Sequence, residues 1–143
     1  MTNAENERKT FWKIFHDVLK ETGNPFMFTE NKYWACINSN DSNWHRTIIA
    51  MDFLVQKEIF RINLYINNDI ELFDMLLSRK EEIEKLLGFE VKWVFSEKKG
   101  NARRIKLEQS FIKNNNIEYK KLIVKSISII NNFVKVFSKY TII

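Results

Sequence analysis

The sequence predicts an α+β fold of two layers, with helices packed on one face of a mostly antiparallel sheet. The segment that carries this prediction is 60–95, FRINLYINNDIELFDMLLSRKEEIEKLLGFEVKWVF. Its apolar residues alternate over 60–66, as they do in a half-buried strand. They then recur every three or four residues over 70–87, which is the helical period, and alternate again over 91–95. The segment is therefore a strand, a helix and a second strand.

The residues before this segment predict one helix and three strands. The pattern Thr2 to Glu5 is that of a capping box, and an apolar helical stripe follows it as far as the turn Gly23-Asn24-Pro25. The strands are Tyr33–Asn38, Arg46–Val55 and Ile59–Ile66; a polar turn at Asn38–Asn43 separates the first two, and Gln56-Lys57-Glu58 forms the tip between the last two.

The second half begins with the central helix, for which Asn68 or Asp69 is the predicted cap and Gly88 the predicted end. Beyond it, Val91–Phe95 and Arg103–Gln109 form a hairpin across the turn Ser96–Asn101, and a long helix starts at Ile117. The order α-β-β-β-α-β-β-α gives a five-stranded sheet. Its short connections require antiparallel pairing, although the strand–helix–strand joint allows one parallel pair.

Composition indicates a single domain spanning residues 1–143. Hydrophobic residues make up 45% and aromatic residues 14% of the chain, which is enough for a sizeable core. Three Gly and one Pro argue against a glycine-rich phosphate loop. The single cysteine, Cys36, has no partner for an internal disulfide. The start MTNAENERKT is polar, and no apolar run approaches the roughly 20 residues of a membrane helix, so we expect a cytoplasmic protein without membrane contact.

Basic side chains are predicted to share the sheet face that the helices leave open. The 23 Lys and Arg exceed the 18 Asp and Glu, for a net charge of +5. On three strands, the positions that alternate with the buried apolar ones are occupied by Arg61, Tyr65, Lys92, Arg104 and Lys106. Cations neutralise phosphates, and an aromatic ring can stack on an unpaired base. The face is therefore a candidate nucleic-acid surface. The alternatives are a protein-binding face and an ordinary solvated face with cross-strand Glu–Lys pairs, for which Glu58, Glu90 and Glu108 are nearby.

A metal-dependent nuclease is the alternative from another functional class. Glu90-Val91-Lys92 has the (Asp/Glu)-x-Lys spacing of restriction-type nucleases, with Asp69 or Asp74 as a partner carboxylate. The same spacing occurs four more times in this Glu- and Lys-rich chain, at 7–9, 30–32, 97–99 and 118–120, so a solvated strand edge is the simpler interpretation.

No residue pattern indicates a metal ion or another cofactor. Two histidines, His16 and His45, and Cys36 are too few and too scattered for a zinc site. His45 could approach Cys36 as a base, but a small buried thiol on a strand is the simpler interpretation. We therefore expect no metal and no cofactor.

The last helix carries a second apolar seam. Leu122, Ile129, Val136 and Ile143 recur every seven residues. Such a seam serves either as a homodimer contact or as additional core burial, since a wide apolar stripe is normal for a helix on a sheet.

The whole pattern resembles an uncharacterised bacterial and archaeal family, domain of unknown function 4268. The matching residues are Phe11-Trp12, Ile62–Ile66, the helix with Phe73, Leu76, Lys80 and Ile83-Glu84 that ends at Leu87-Gly88, then Trp93 and Arg104-Ile105. Members of that family often look like a C-terminal module beside a restriction-endonuclease-like nuclease domain; we expect this chain to be the module alone. The resemblance implies a role in DNA metabolism or defence. We therefore interpret the chain as a non-enzymatic module that binds nucleic acid or works with DNA-processing proteins, with a nuclease or a dimerisation module as alternatives.

Overall fold

A computed structural model describes residues 3–23, 28–30, 34–37, 47–95 and 102–143 of the chain. The predicted cap at Thr2, the polar turn at 38–43, the hairpin turn at 96–101 and His45 lie outside the described residues. The helices are α1 (Asn3–Thr22), α2 (Ile70–Ser78), α3 (Lys80–Leu87) and α4 (Asn116–Phe137). The strands are β1 (Phe28–Glu30), β2 (Trp34–Ile37), β3 (Ile48–Leu54), β4 (Ile59–Asn67), β5 (Lys92–Val94) and β6 (Ala102–Ser110).

The strands form one antiparallel sheet in the order β1-β2-β3-β4-β6-β5. The predicted α+β fold with its antiparallel sheet is confirmed, and β1 adds a strand to the five predicted. The parallel pair that the strand–helix–strand joint allowed is not formed. β4 and β5 are each antiparallel to β6, and because β6 lies between them they do not pair with each other.

The period of two in β4 decides which face of the sheet is buried. Its side chains at 60, 62, 64 and 66 are fully buried against the helices. Across the register, Phe53 of β3 opposes Phe60, and Ile105 of β6 opposes Leu64, so the same face continues onto both neighbours. The ring of Phe11 from α1 stacks on Phe53 at 3.9 Å between centroids. Helices therefore cover one face, and the residues of the opposite phase lie on the other.

The central helical segment is divided at Arg79. Asp69, one of the two predicted caps, accepts a hydrogen bond from the Leu72 N–H at 3.0 Å, and Gly88 ends α3 with φ 87°. At Arg79 the backbone leaves the helical region (φ −112°, ψ 21°), which separates α2 from α3. Phe73 and Leu76 on α2 and Ile83 and Leu87 on α3 are all buried in the same core. The break therefore leaves the predicted apolar stripe facing the sheet.

The seven-residue seam of α4 packs largely within its own chain. Val136 is buried, and Leu122, Ile129 and Ile143 are half-buried against the main core. This contact is the core burial that was one of the two interpretations of the seam. It leaves the outer sides of Leu122, Ile129 and Ile143 at the surface, and Ile143 lies beyond the end of α4 at Phe137 rather than on the helix.

Tyr119 ties the start of α4 to α1. Its ring is fully buried, and its hydroxyl donates to a carboxylate oxygen of Glu7 and accepts from the Asn114 N–H at 3.1 Å. Burial and the neighbouring Glu7 carboxylate raise the pKa of the Tyr119 phenol above its ordinary value of 10.0, so the neutral phenol is the form that the fold favours.

We expect the stability that depends on Tyr119 to be lost in alkali. Because the folded-state pKa is raised, the contribution of the neutral phenol is complete below pH 10.0 and falls as the pH rises beyond it. Tyr119→Phe should cost about 1–2 kcal/mol at neutral pH, since Glu7 loses a donor, and should flatten the alkaline decline. Urea denaturation at a series of pH values measures both effects. If the free energy of unfolding fell equally steeply with rising pH in the unaltered protein and in the variant, this role of Tyr119 would be contradicted.

Candidate nucleic-acid interface

The strand side chains that point away from the helices form the other surface of the sheet. We call this surface the open face, and no described helix packs on it. Because neighbouring strands are in register, residues that oppose one another lie on the same face. The open face consists of Trp34 and Cys36 on β2; Ile48, Ala50 and Asp52 on β3; Arg61, Asn63 and Tyr65 on β4; Arg104, Lys106 and Glu108 on β6; and Lys92 and Val94 on β5.

The strand register brings the predicted basic residues together. Tyr65 opposes Arg104, and Lys106 opposes Lys92 on its other side. Arg61 lies two positions from Asn63, which opposes Lys106. All five residues named from the sequence therefore occupy one half of the open face, on the adjacent strands β4, β6 and β5.

Asp52 holds the two arginines in place. Its Oδ2 atom accepts from Arg61 Nε at 2.9 Å and lies 3.8 Å from Arg104 Nη1. The side chains of Asp52, Arg61 and Arg104 are only 13%, 16% and 19% exposed. In such a setting an ion pair is screened less than at a fully exposed surface. Sequence reasoning missed Asp52, although a lone carboxylate in the apolar strand IIAMDFL was a usable signal.

Asn63 links the arginines through its amide. The side-chain nitrogen donates to the Ala50 carbonyl at 3.1 Å and to Asp52 Oδ2 at 3.0 Å, and Oδ1 accepts from Arg104 Nη1 at 3.0 Å. The residue is completely buried although it belongs to the open face. A buried amide with both ends bonded fixes the groups around it. Asp52, Arg61, Asn63 and Arg104 therefore form one connected network.

Glu108 lies between the two lysines of the open face. Its carboxylate accepts from Lys92 Nζ at 3.3 Å and from Lys106 Nζ at 3.5 Å. Burial raises the pKa of Glu108, but Lys106 and Lys92 together outweigh this and leave the pKa below its ordinary value. Lys92 is 72% exposed, whereas Lys106 is 17% exposed. Glu108 is thus a stable anion, and Lys92 projects furthest into solvent.

Tyr65 is covered on one side by Arg104. The guanidinium carbon lies 4.8 Å from the ring centroid, which is a cation–π contact. Tyr65 and Trp34 also pack against a small apolar cluster of Cys36, Ile48 and Ala50. The open face therefore has an apolar half on β2 and β3 and a cationic half on β4, β6 and β5. The described strands of the open face carry four cationic side chains and two carboxylates, so the face has an excess of positive charge.

Each residue of the nuclease alternative is either exposed or bonded to another group of the described structure. Glu90 is exposed just before β5, and Lys92 is bonded to Glu108. Asp69 caps α2 through the Leu72 N–H, and Asp74 is exposed on α2. Within the described residues, no three His, Cys, Asp or Glu side chains come close enough to hold a metal ion. Cys36 is buried on β2, and His16 is exposed on α1.

The family model for the domain of unknown function DUF4268 matches residues 7–141. The chain belongs to the DUF4268 family. No curated protein sequence matches it significantly. One solved structure of similar shape is YbjN from E. coli, described as a candidate transcription regulator; it shares 9% identity, with 90% of each chain covered and a TM-score of 0.48. That likeness is too low to bear on function. Among the described residues of this DUF4268 chain, no helix has the length and apolarity needed to span a membrane.

Proposed function

We propose that this DUF4268 chain is a nucleic-acid-binding module and that the cationic half of its open face is the contact surface. The observation that carries the proposal is the grouping of Arg61, Arg104, Lys106 and Lys92 on three adjacent strands. Lys and Arg at such spacing can each neutralise a backbone phosphate and release a counterion. The module is proposed to be one cytoplasmic domain, working beside proteins that process DNA.

The arginines and the lysines have different parts in this proposal. Arg61 and Arg104 are held by Asp52 and Asn63, so they lose little conformational freedom when a phosphate arrives. Lys92 and Lys106 share one carboxylate, Glu108, and can exchange that contact for a phosphate oxygen. We therefore expect the lysines to supply most of the phosphate contacts and the arginine network to provide a rigid support.

The geometry favours binding without base recognition. Arg104 covers one side of the Tyr65 ring, so this ring offers less stacking area than the sequence suggested. Contacts to phosphates alone position a nucleic acid but carry no sequence information. We expect weak, sequence-independent binding that depends steeply on salt.

Replacing both lysines should remove about two phosphate contacts. For Lys92→Gln plus Lys106→Gln, we expect affinity for a labelled oligonucleotide to fall at least about tenfold at low salt. The slope of log K against log salt should become shallower by about 2. Fluorescence anisotropy at about 50 and about 200 mM salt, with single-stranded and duplex DNA, measures both quantities.

The matched control is Lys80→Gln plus Lys135→Gln, which removes the same charge from exposed positions on α3 and α4. This control should keep nearly the full affinity and salt slope. If the two double variants bound equally well, the net charge and not the open face would be responsible. A lack of binding by the unaltered protein at low salt would also reject the proposal.

A further inference from the structure

The sheet has an unpaired edge beside α4. β4 pairs with β6 over its whole length, from Ala102 to Ser110, whereas β5 pairs only with Arg104–Lys106. The outer edge of Leu107–Ser110 has no strand partner within the described residues. The chain before β5 does not fill it either, because the Val91 N–H donates to Glu84 Oε2 at 2.9 Å. Backbone groups on such an edge are a template for one more strand.

A groove of about 540 Å³ runs between this edge and α4. Its apolar lining comes from Phe89, Leu107, Leu122 and Ile129, which are all half-buried. Leu122 and Ile129 are two members of the seven-residue seam of α4. Their outer sides line this groove, so the part of the seam that the core does not use lies next to the unpaired edge.

The charges around the groove favour an acidic occupant. Lys121 and Lys125 are exposed on its α4 wall. Both carboxylates of the lining already have lysine partners: Glu118 lies 3.7 Å from Lys121, and Glu108 is bonded to Lys92 and Lys106. Two lysines and two carboxylates therefore line the groove, and Lys92 and Lys106 neutralise Glu108 from the open face. Lys125 makes no ion pair with another described residue and can meet an incoming carboxylate.

We propose that this groove binds an extended segment of a partner protein in which apolar and acidic residues alternate. The segment would pair with Leu107–Ser110 as an added strand, a recurring mode of peptide recognition. Its apolar side chains would enter the groove on one phase, and its carboxylates would reach Lys121 and Lys125. A second copy of this chain fits less well, because a net charge of +5 would bring like-charged surfaces together.

This site differs from the nucleic-acid surface. It uses the sheet edge and α4, whereas the open face uses Lys92 and Lys106 on β5 and β6. Lys121→Glu plus Lys125→Glu alters the groove and leaves Lys92 and Lys106 of the open face in place, so either proposal can fail alone.

The probe is a short fluorescein-labelled peptide in which valine and glutamate alternate, compared with one in which valine and lysine alternate. We expect saturable binding of the glutamate peptide, at least about tenfold tighter than that of the lysine peptide. Methylating alternate peptide nitrogens should abolish binding, because strand pairing needs those N–H groups. Lys121→Glu plus Lys125→Glu should weaken binding of the glutamate peptide at least about tenfold. Lys135→Glu plus Lys139→Glu, equally exposed on and just after α4, should not.

Binding should also slow amide hydrogen exchange in Leu107–Ser110 and leave exchange in α1 unchanged. The proposal is overturned if the glutamate peptide does not saturate, if both peptides bind equally, or if the N-methylated peptide binds as well. It is also overturned if sedimentation shows a concentration-dependent dimer that Lys121→Glu plus Lys125→Glu dissociates, because the occupant would then be a second copy.

Discussion

Replacing Phe11 with alanine is expected to lower the free energy of unfolding by about 3–5 kcal/mol, the usual cost of deleting a buried phenyl ring. Phe11 is fully buried and stacks on Phe53 at 3.9 Å. Its ring also contacts Phe60 and Tyr119, so the cavity would open where α1, the sheet and α4 meet. Those neighbours belong to three different elements, and a local rearrangement would have to move all of them to fill the space.

Urea denaturation followed by tryptophan fluorescence and circular dichroism measures this loss. The control is Val124→Ala on α4, where the side chain is half-exposed, and its effect should stay within about 0.5 kcal/mol. Similar midpoints for the two variants would show that the aromatic cluster is not the centre of the core. Separate transitions by the two probes would contradict a single cooperative domain.

Replacing Asp52 with alanine is expected to cost about 2–4 kcal/mol, because Arg61, Asn63 and Arg104 lose their shared acceptor in a largely buried setting. Glu82→Ala is the matched control. Its carboxylate lies 3.3 Å from Arg79, but both side chains are more than half exposed, so we expect a loss below about 0.5 kcal/mol. Chemical denaturation of the two variants compares a largely buried network with an exposed ion pair.

A second substitution at Asp52 tests its effect on stability and its effect on nucleic-acid binding separately. Asp52→Asn removes one negative charge from the open face and keeps an oxygen for Arg61. If the face binds nucleic acid, this variant should be less stable and yet bind an oligonucleotide more tightly, since the positive excess grows. A variant whose stability and affinity fall together would indicate that Asp52 only maintains the fold. An unchanged denaturation midpoint would contradict the proposed network.

Local patterns were sufficient to predict most elements. Alternation at Phe60–Ile66 and the three- and four-residue steps from Ile70 identified β4 and the helical segment, because side-chain periodicity depends on neighbours along the chain. Asp69 and Gly88 marked the ends of that segment for reasons of backbone chemistry. The break at Arg79 carries neither Gly nor Pro, so no local signal announced it.

Long-range pairing was not predictable in the same way. The insertion of β6 between β4 and β5 depends on which edges meet in space, and a period-two pattern fits either neighbour. The basic residues could be assigned to one face from their phase alone. Their partners could be predicted only in part: Glu108 was one candidate for a cross-strand Glu–Lys pair, whereas Asp52, which reaches Arg61 from the neighbouring strand, was missed. The unpaired edge at Leu107–Ser110 could not be predicted for the same reason, because it depends on β5 pairing with only Arg104–Lys106 of β6.

The most direct test of the central claim is to map where a nucleic acid touches the folded protein. A titration of the isotope-labelled protein with a short oligonucleotide, followed through backbone amide NMR shifts at low salt, gives this map. We predict that the largest changes occur on β4, β6 and β5, around Tyr65, Arg104, Lys106 and Lys92, and fade as salt is added. Shifts confined to the helices, or no shifts at low salt, would contradict the assignment of the open face as a nucleic-acid surface.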